Sequence, residues 1–443
     1  MERNRISPMK KILFSITVFI SGLHFSQQIK FEEYDLPNGL HVILHQDNTV
    51  PVVTTGVMYH VGSKDEVRGR TGFAHFFEHL LFEGTPNIKR GEWFKIVASN
   101  GGDNNASTSN DITYYYETFP SNNERLGLWM EAERMYNAVI NQVGVDTQRD
   151  VVKEEKRVRF DGRPYGNLLI SVYNHLFSKH PYSWVPIGSI EDLNSAKLEE
   201  FKDFYEKYYI PNNATLVVAG DIKPEQTKKW IEEYYGGIPK GIVYPKNYPM
   251  EDPITHEKEV TVVDPNIQIP AYTFAYRTPN GKERDSYIID MLLSYLSMGS
   301  SSVLYQKLVD KEKKALSIDI ANTAHEDYGI LALFVYPMGE VTRASLQSDI
   351  DAEIKKLQTT LISQEDYEKL QNQFETQFIN ENANLEDIAK TLAKNHILKG
   401  NTNLINTEID IYRSVTREDI QKAAKKYLNS NQRVIINYMP ERK

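Results

Sequence analysis

Apolar residues recur at helical spacing in two separate stretches of the chain. In residues 71–85 they follow positions i, i+3, i+4, i+7 and i+8, which predicts a helix with one core-facing side that ends at Gly84. This apolar stripe consists of Phe73, Phe76, Phe77, Leu80 and Leu81. Residues 146–160 predict a second helix with Asp146 as its N-cap.

Other stretches predict strands. Alternation of apolar and polar residues from 38 to 60 predicts two strands that pair with each other across a turn near Asp47 and Asn48. Residues 198–221 and 418–440 each predict a helix, a turn and a buried strand in that order. This recurrence at long spacing indicates two similar halves of one duplicated unit.

The first predicted helix also carries polar side chains that suit a metal. His75, Glu78 and His79 share one face, because residues three and four apart on a helix lie on the same side. Two imidazoles at this spacing can bind one Zn²⁺, and Glu78 would lie beside the metal, where it can accept a proton from water. The alternative is that these side chains lie on the exposed face of a surface helix and bind no metal. A hydrolytic zinc site needs one more protein ligand.

Glu155 is the candidate for that ligand. It falls on the apolar side of the second predicted helix, whereas Glu154 falls on the solvated side. The apolar side is predicted to be formed by Val151, Val152 and Val158. An inward-facing carboxylate needs a partner. From the residues alone, a salt bridge to Arg159 at i+4 and a bond to the metal explain Glu155 equally well.

The run GFAHFFEHLLFEGT resembles the zinc helix of the pitrilysin/insulinase family, and in particular of its short, processing-peptidase-like branch. In that family the third zinc ligand is a Glu about 75 residues after the second His; here 155 − 79 = 76. Further segments match family landmarks, namely 101–120, 149–155, 161–166, 180–188 and 212–222. The resemblance implies an α+β fold of two similar domains, each an antiparallel sheet with helices packed on one side. It also implies that His75, His79 and Glu155 hold Zn²⁺.

The function implied by the resemblance is that of a zinc endopeptidase, which hydrolyses unfolded peptides with Glu78 as general base. Substrate would add as a strand to an exposed edge near Asn105 and Ala106, with broad specificity. Two other interpretations stay open. The chain could be a non-catalytic peptide-binding or assembly subunit of a peptidase complex, or a globular binding protein with a chance motif.

The sequence departs from the family pattern at three positions. Gln148 stands where a Glu commonly lies near the metal, and Val309 and Leu316 stand where active members carry an Arg and a Tyr. The resemblance therefore suggests a heterodimer with a related chain that supplies the Arg/Tyr pair, or else a homodimer. In the second half, the pair at 325–326 (His-Glu) is expected to lie on the surface, and the Ser/Gly run at 298–302 is expected to form a turn between helices.

Composition limits the remaining possibilities. The chain has 443 residues, a net charge of −9 and no cysteine, which argues against nucleic acid as main partner and excludes disulfides and a cysteine nucleophile. Basic residues followed by a short apolar run predict a signal peptide over 1–27, and an uncleaved anchor is the alternative. After cleavage we expect no stable membrane span and a periplasmic or secreted protein. The remaining domains are predicted as 28–243 (zinc-binding), 244–257 (Pro/Gly-rich linker) and 258–443 (metal-free).

Overall fold

The computed structural model of the protein describes residues 28–441, so the predicted signal peptide lies outside the described residues. Two sheets form the framework. The first has six strands in the order β1-β2-β6-β3-β5-β4. Its strands are β1 (Glu32–Asp35), β2 (His41–Gln46), β3 (Val52–Tyr59), β4 (Asp103–Thr108), β5 (Thr113–Pro120) and β6 (Ala214–Gly220).

The second sheet has five strands in the order β7-β11-β8-β10-β9. Its strands are β7 (Lys258–Asp264), β8 (Ala271–Thr278), β9 (Ala315–Ala324), β10 (Gly329–Pro337) and β11 (Arg433–Pro440). Strand pairs are antiparallel in both sheets, except that β2 runs parallel to β6 and β7 runs parallel to β11. Apart from β1, the two sheets therefore have the same strand order and the same directions.

The predicted pairing of the two strands in residues 38–60 is wrong. Both strands form, but β6 lies between them, parallel to β2 and antiparallel to β3. All seven residues of β6 are buried, and a strand that is apolar on both faces is stabilised in the middle of a sheet, where both of its edges are paired. The local alternation predicted the strands correctly and could not reveal this partner, which lies far away in sequence.

Helices flank both sheets. Those of the first half, which runs from β1 to α8, are α1 (Phe73–Leu80), α2 (Trp93–Ser99), α3 (Glu124–Asn137), α4 (Gln142–Lys156), α5 (Leu168–Leu176), α6 (Ile190–Ser195), α7 (Leu198–Tyr208) and α8 (Pro224–Tyr235). Those of the second half, which runs from β7 to β11, are α9 (Arg284–Ser297), α10 (Arg343–Thr359), α11 (Gln364–Glu381), α12 (Leu385–Lys394), α13 (Leu404–Arg413) and α14 (Arg417–Tyr427). The predicted turn at 298–302 follows α9, and residues 239–257 contain no helix or strand.

One helix of each half packs on the sheet of the other half. On one face, each sheet packs against helices of its own half. The other face of the first sheet is covered by α12 of the second half, where Ala389 and Leu392 contact the cluster that contains Met58. Reciprocally, Val172 and Leu176 of α5 pack on the second sheet. Each half therefore completes the hydrophobic core of the other.

No helix among residues 28–441 combines the length and the apolar character that crossing a bilayer requires.

Candidate metal centre

Helix α1 is positioned by its apolar stripe, as the sequence predicts. The phenylalanines at 73, 76 and 77 are buried, and the rings of Phe73 and Phe201 stack with centroids 4.5 Å apart. The helix ends at Leu80, so Gly84, with a φ of 114°, lies beyond its end, and the predicted end is too late.

A buried carboxylate that the sequence analysis missed fixes the beginning of α1. The two carboxylate oxygens of Glu66 accept hydrogen bonds from the N–H groups of Gly72 and Ala74, both at 2.9 Å. Burial raises the pKa of Glu66 well above its usual value, while these two hydrogen bonds favour the ionised form. Because the first N–H groups of a helix lack partners within the helix, Glu66 stabilises the segment that carries the metal ligands. No local pattern in the sequence distinguishes Glu66 from an exposed glutamate.

Helix α4 carries Glu155 but begins earlier than predicted. Its N-cap is Asn141, whose side chain accepts a hydrogen bond from the N–H of Gly144 at 2.9 Å. Asp146 instead lies within the helix and pairs with Arg149 at 2.6 Å. Asn is as good an N-cap as Asp, so the residue type alone could not choose between the two positions.

The predicted apolar face of α4 is only partly correct. Val152 is buried, but Val151 and Val158 are exposed by 44% and 55%. The inward prediction for Glu155 holds, because its side chain is 16% exposed, whereas that of Glu154 is 59% exposed and pairs with Arg157. After Lys156 the chain continues as a π-helical segment, which changes the direction of the residues that follow Glu155.

The ligand atoms predicted from the sequence converge at one point. The Nε2 atoms of His75 and His79 lie 3.5 and 3.2 Å from Oε2 of Glu155, and all three atoms lie within 4.8 Å of one another. The other carboxylate oxygen, Oε1, forms a salt bridge with Nη1 of Arg159 at 2.7 Å. The salt bridge to Arg159 is therefore present, and it is compatible with a bond from Oε2 to a metal, which stays a prediction.

The protonation states of these groups suit a metal. Burial, and then the neighbouring His79, lower the pKa of His75 to about 4, so its imidazole is neutral and has a free lone pair. The hydrogen bond with His79 lowers the pKa of Glu155, which keeps this carboxylate ionised. Nδ1 of His75 is buried and has no hydrogen-bond partner among the described residues. Two imidazoles and one carboxylate are a donor set that fits Zn²⁺ with a position left for water.

Glu78 lies on the same helix, one residue before His79, and does not belong to the three converging ligands. Burial raises the pKa of Glu78, and the hydroxyl of Thr108 on β4 acts in the opposite direction. A carboxylate with a raised pKa beside a metal is suited to accept and return protons near neutral pH.

The predicted substrate residues lie on an edge strand. Among the described residues, β4 pairs only with β5, with Asn105 opposite Tyr116 and Ala106 opposite Tyr115. Helix α1 packs beside β4, so this edge runs next to the candidate metal ligands. The side-chain oxygen of Asn105 accepts a hydrogen bond from the N–H of Ala106 at 2.9 Å. A role in substrate binding for these residues stays a prediction.

The positions that depart from the family pattern occupy ordinary structural sites. Gln148 donates a hydrogen bond from Nε2 to Glu83 at 2.6 Å. Val309 packs against the core of the second half, and Leu316 lies on the edge strand β9, 46% exposed. Neither the Val309 nor the Leu316 side chain can donate a hydrogen bond.

The surface prediction for residues 325–326 is wrong. His325 is buried and its Nε2 lies 2.8 Å from the hydroxyl of Tyr173, on helix α5. Glu326 binds Nζ of the buried Lys64 at 2.6 Å, and Asp111 binds the same amino group at 3.0 Å. These contacts join the two halves. The polar local sequence around residues 325–326 could not show that side chains of the first half cover them.

Comparisons with known proteins match the chain to two family models and to a relative of nearly the same length. Residues 41–175 match the family model described as Insulinase (Peptidase family M16), and residues 195–374 match the model described as Peptidase M16 inactive domain. The zinc protease PqqE of Helicobacter pylori is 31% identical and is matched over 93% of this chain and 93% of its own length.

Solved structures show the same fold. The crystal structure of a protease from Helicobacter pylori has a TM-score of 0.86 and 29% sequence identity, covering 93% of this chain and 100% of that chain. The periplasmic protease PqqL from Escherichia coli has a TM-score of 0.77 and 19% identity. That match covers 93% of this chain and 48% of PqqL, and it shows the fold alone.

Proposed function

Because this chain belongs to the insulinase (M16) family of peptidases, whose cofactor is zinc, we propose that it is a zinc-dependent endopeptidase that hydrolyses unfolded peptides. The observation that carries the proposal is the convergence of His75, His79 and Glu155 on one point beside a half-buried Glu78.

Each side chain at the site has a separate task. Zinc, when bound, supplies a Lewis acid that activates water and polarises a peptide carbonyl. The imidazoles of His75 and His79 and the carboxylate of Glu155 hold the metal, and Arg159 orients Glu155 through its second oxygen. Glu78 accepts the proton of the attacking water and returns it to the leaving amine.

Substrate binds as an added strand along β4. The free edge of this strand runs beside α1, so the backbone of an extended peptide would lie next to the metal ligands. The peptide would displace the Asn105 side chain from the N–H of Ala106, because both compete for the same donor. Pairing through the main chain favours unfolded peptides with little dependence on sequence.

A second chain completes the active enzyme in this proposal. Val309 and Leu316 stand where active relatives place an Arg and a Tyr, so these two positions offer no donor for the developing oxyanion. We propose that a related chain supplies them in a heterodimer; a homodimer that works without the pair is the alternative. We propose that the enzyme acts in the periplasm or outside the cell. The predicted signal peptide and the periplasmic location of PqqL support this.

A second candidate function is a non-catalytic, peptide-binding subunit. It is favoured by the match of residues 195–374 to a domain described as inactive. Its weakness is that this match begins after Glu155 and leaves all the candidate zinc ligands outside.

The experiment that separates these functions measures cleavage of an unstructured fluorogenic peptide by the purified, zinc-loaded chain. It is done with the chain alone and with a co-encoded homologue that carries the Arg/Tyr pair. We expect weak cleavage alone and a strong gain on mixing. Full activity alone, with no gain from the homologue, would overturn the heterodimer. A mixture that stays inactive and binds zinc would favour the non-catalytic subunit.

A further inference from the structure

A second group of two histidines and one glutamate lies away from the catalytic centre. Glu33 is on β1, His41 is on β2, and His396 is in the π-helical segment Asn395–Lys399 that follows α12. One ligand atom from each lies within 4.8 Å of the others. The first two residues belong to the first half and His396 belongs to the second half, so the group spans the boundary between the halves.

Neighbouring side chains fix the positions of two of these residues. Nδ1 of His41 lies 2.8 Å from Oδ1 of Asp35, its cross-strand neighbour, which leaves Nε2 to face Glu33 at 3.4 Å. The hydroxyl of Thr402 donates to Oε2 of Glu33 at 2.6 Å. A histidine whose other ring nitrogen is held by a carboxylate is the usual arrangement around protein-bound metals.

The two imidazoles are unusually close. The rings of His41 and His396 stack with centroids 3.5 Å apart and planes 6° from parallel. Burial, and then the neighbouring His41, lower the pKa of His396, which favours the neutral form with a free lone pair. The nitrogen lone pairs of the two rings lie in separate, nearly parallel planes, so a shared metal requires the two ring planes to open when it binds.

We propose that Glu33, His41 and His396 form a second site for a divalent transition metal of the Zn²⁺ or Ni²⁺ class, which ties the two halves together. Two imidazoles and one carboxylate are a donor set for these metals, and water completes the coordination. The Glu33 side chain is 41% exposed, so an ion can enter from solvent.

The position of the site gives it a structural role. Helix α12 covers the outer face of the first sheet, and His396 follows directly after it. A metal bound here joins the end of that helix to β1 and β2 of the sheet. Because the metal binds only the folded arrangement, it stabilises the contact between the halves by mass action.

The test uses the full chain with the catalytic ligands removed, as the variant His75→Ala/His79→Ala. Equilibrium dialysis with Zn²⁺, and Co²⁺ titration followed by visible absorption, report binding without reference to activity. We expect this variant to retain about one equivalent of metal with micromolar affinity or tighter, and a rise in Tm when metal is added.

Further substitutions in that background identify the ligands. His396→Ala, and separately the exposed Glu33→Gln, should weaken binding ~10-fold or more and remove the Tm shift, whereas His175→Ala on α5 should change neither. Glu33→Gln keeps the test valid if His396→Ala fails to fold. Absence of a second equivalent, or binding that Glu33→Gln and His396→Ala leave unchanged, would mean an adventitious ion only and would overturn the proposal.

Discussion

Each half of this protein contains a junction at which two helices pack together beside an edge strand, but the two junctions carry different side chains. In the first half, α1 packs against α4 and beside the edge strand β4; in the second half, α9 packs against α11 and beside the edge strand β9. The first junction brings together the candidate zinc ligands His75, His79 and Glu155. At the second junction, Asp290 lines a cavity of about 510 Å³.

Asp290 shows why the second junction is not a copy of the first. Its carboxylate accepts hydrogen bonds from Asn322 at 2.5 Å and from Tyr412 at 2.8 Å. Burial raises the pKa of Asp290 to about 6, and these hydrogen bonds act in the opposite direction. A single carboxylate whose oxygens are already engaged does not make a zinc site, which needs three ligands. The duplicated fold therefore provides the junction, and a few side chains on two helices decide whether it can bind zinc.

If the two halves differ in this way, substitution of Glu78 should have the largest effect on peptide cleavage. Glu78→Gln should keep the zinc and lower peptide cleavage by ~100-fold or more, the usual loss when a general base is removed. Asp290→Asn in the second half is the matched control and should leave cleavage nearly unchanged. Zinc content and kcat/KM are measured on the same preparations. If both variants lose activity equally, the second junction shares the chemistry and the contrast between the halves is wrong.

The next effect separates two adjacent glutamates on α4. Glu155→Gln should weaken zinc binding ~10- to 100-fold, because it replaces a charged ligand by a neutral amide. Glu154→Gln is the control, since Glu154 is exposed and, within residues 28–441, pairs only with Arg157. Competition with a chromogenic chelator measures both affinities. Loss of zinc in Glu154→Gln alone would show that the direction assigned to Glu155 is wrong.

How far the sequence could predict this site depends on how local each feature is. The phenylalanine stripe and the spacing of His75, Glu78 and His79 lie within a few turns of one helix, so the pattern predicted α1 and the shared face of its polar residues. The inward position of Glu155 also followed from its spacing, although α4 begins at Gln142 rather than near Asp146.

Features that depend on distant partners could not be predicted in this way. The insertion of β6 between β2 and β3 is decided by pairing with residues more than a hundred positions later. Glu66 and His325 are polar in sequence and buried in the fold, and the Glu326 side chain is only 13% exposed, because other segments cover them. The local pattern of apolar and polar residues predicts whether a segment is a helix or a strand, but it does not predict which segments pack on it.

A smaller effect concerns the contact between the halves. Burial disfavours the charge of Glu326, but its hydrogen bond with His60 and the charge of Lys64 lower its pKa from 4.5 to about 2. Since the folded-state pKa is the lower one, Glu326 stabilises the fold above its ordinary pKa, and this contribution is lost as the pH falls from 4.5 to 2.

The variant Glu326→Gln tests this contact. Near pH 7 it should lower the free energy of unfolding by ~1–2 kcal/mol, because a charged hydrogen bond is lost. The difference from the unmodified protein should shrink as the pH falls through the range given above. Denaturant unfolding at several pH values measures it. A difference that stays constant with pH would show that the ionisation of Glu326 does not stabilise the contact.

The smallest effect is expected at Arg159. Arg159→Ala should weaken zinc binding only ~3- to 10-fold, because the guanidinium is 71% exposed and its charge is screened by water. Arg159→Lys should restore part of the loss, since it keeps the charge. Affinities are measured as for Glu155→Gln. An effect of Arg159→Ala as large as that of Glu155→Gln would mean that Arg159 holds the helix rather than orienting one carboxylate.

The central claim is that cleavage depends on zinc held by the first half. The most direct measurement removes all metal from the chain and follows peptide cleavage as zinc is returned, with the chain alone and with the proposed related partner chain. The same titration is made with His75→Ala/His79→Ala. We predict that cleavage disappears with the metal, returns with zinc in the unmodified chain and does not return in the variant. Cleavage by the metal-free protein, or its recovery in the variant, would contradict the account.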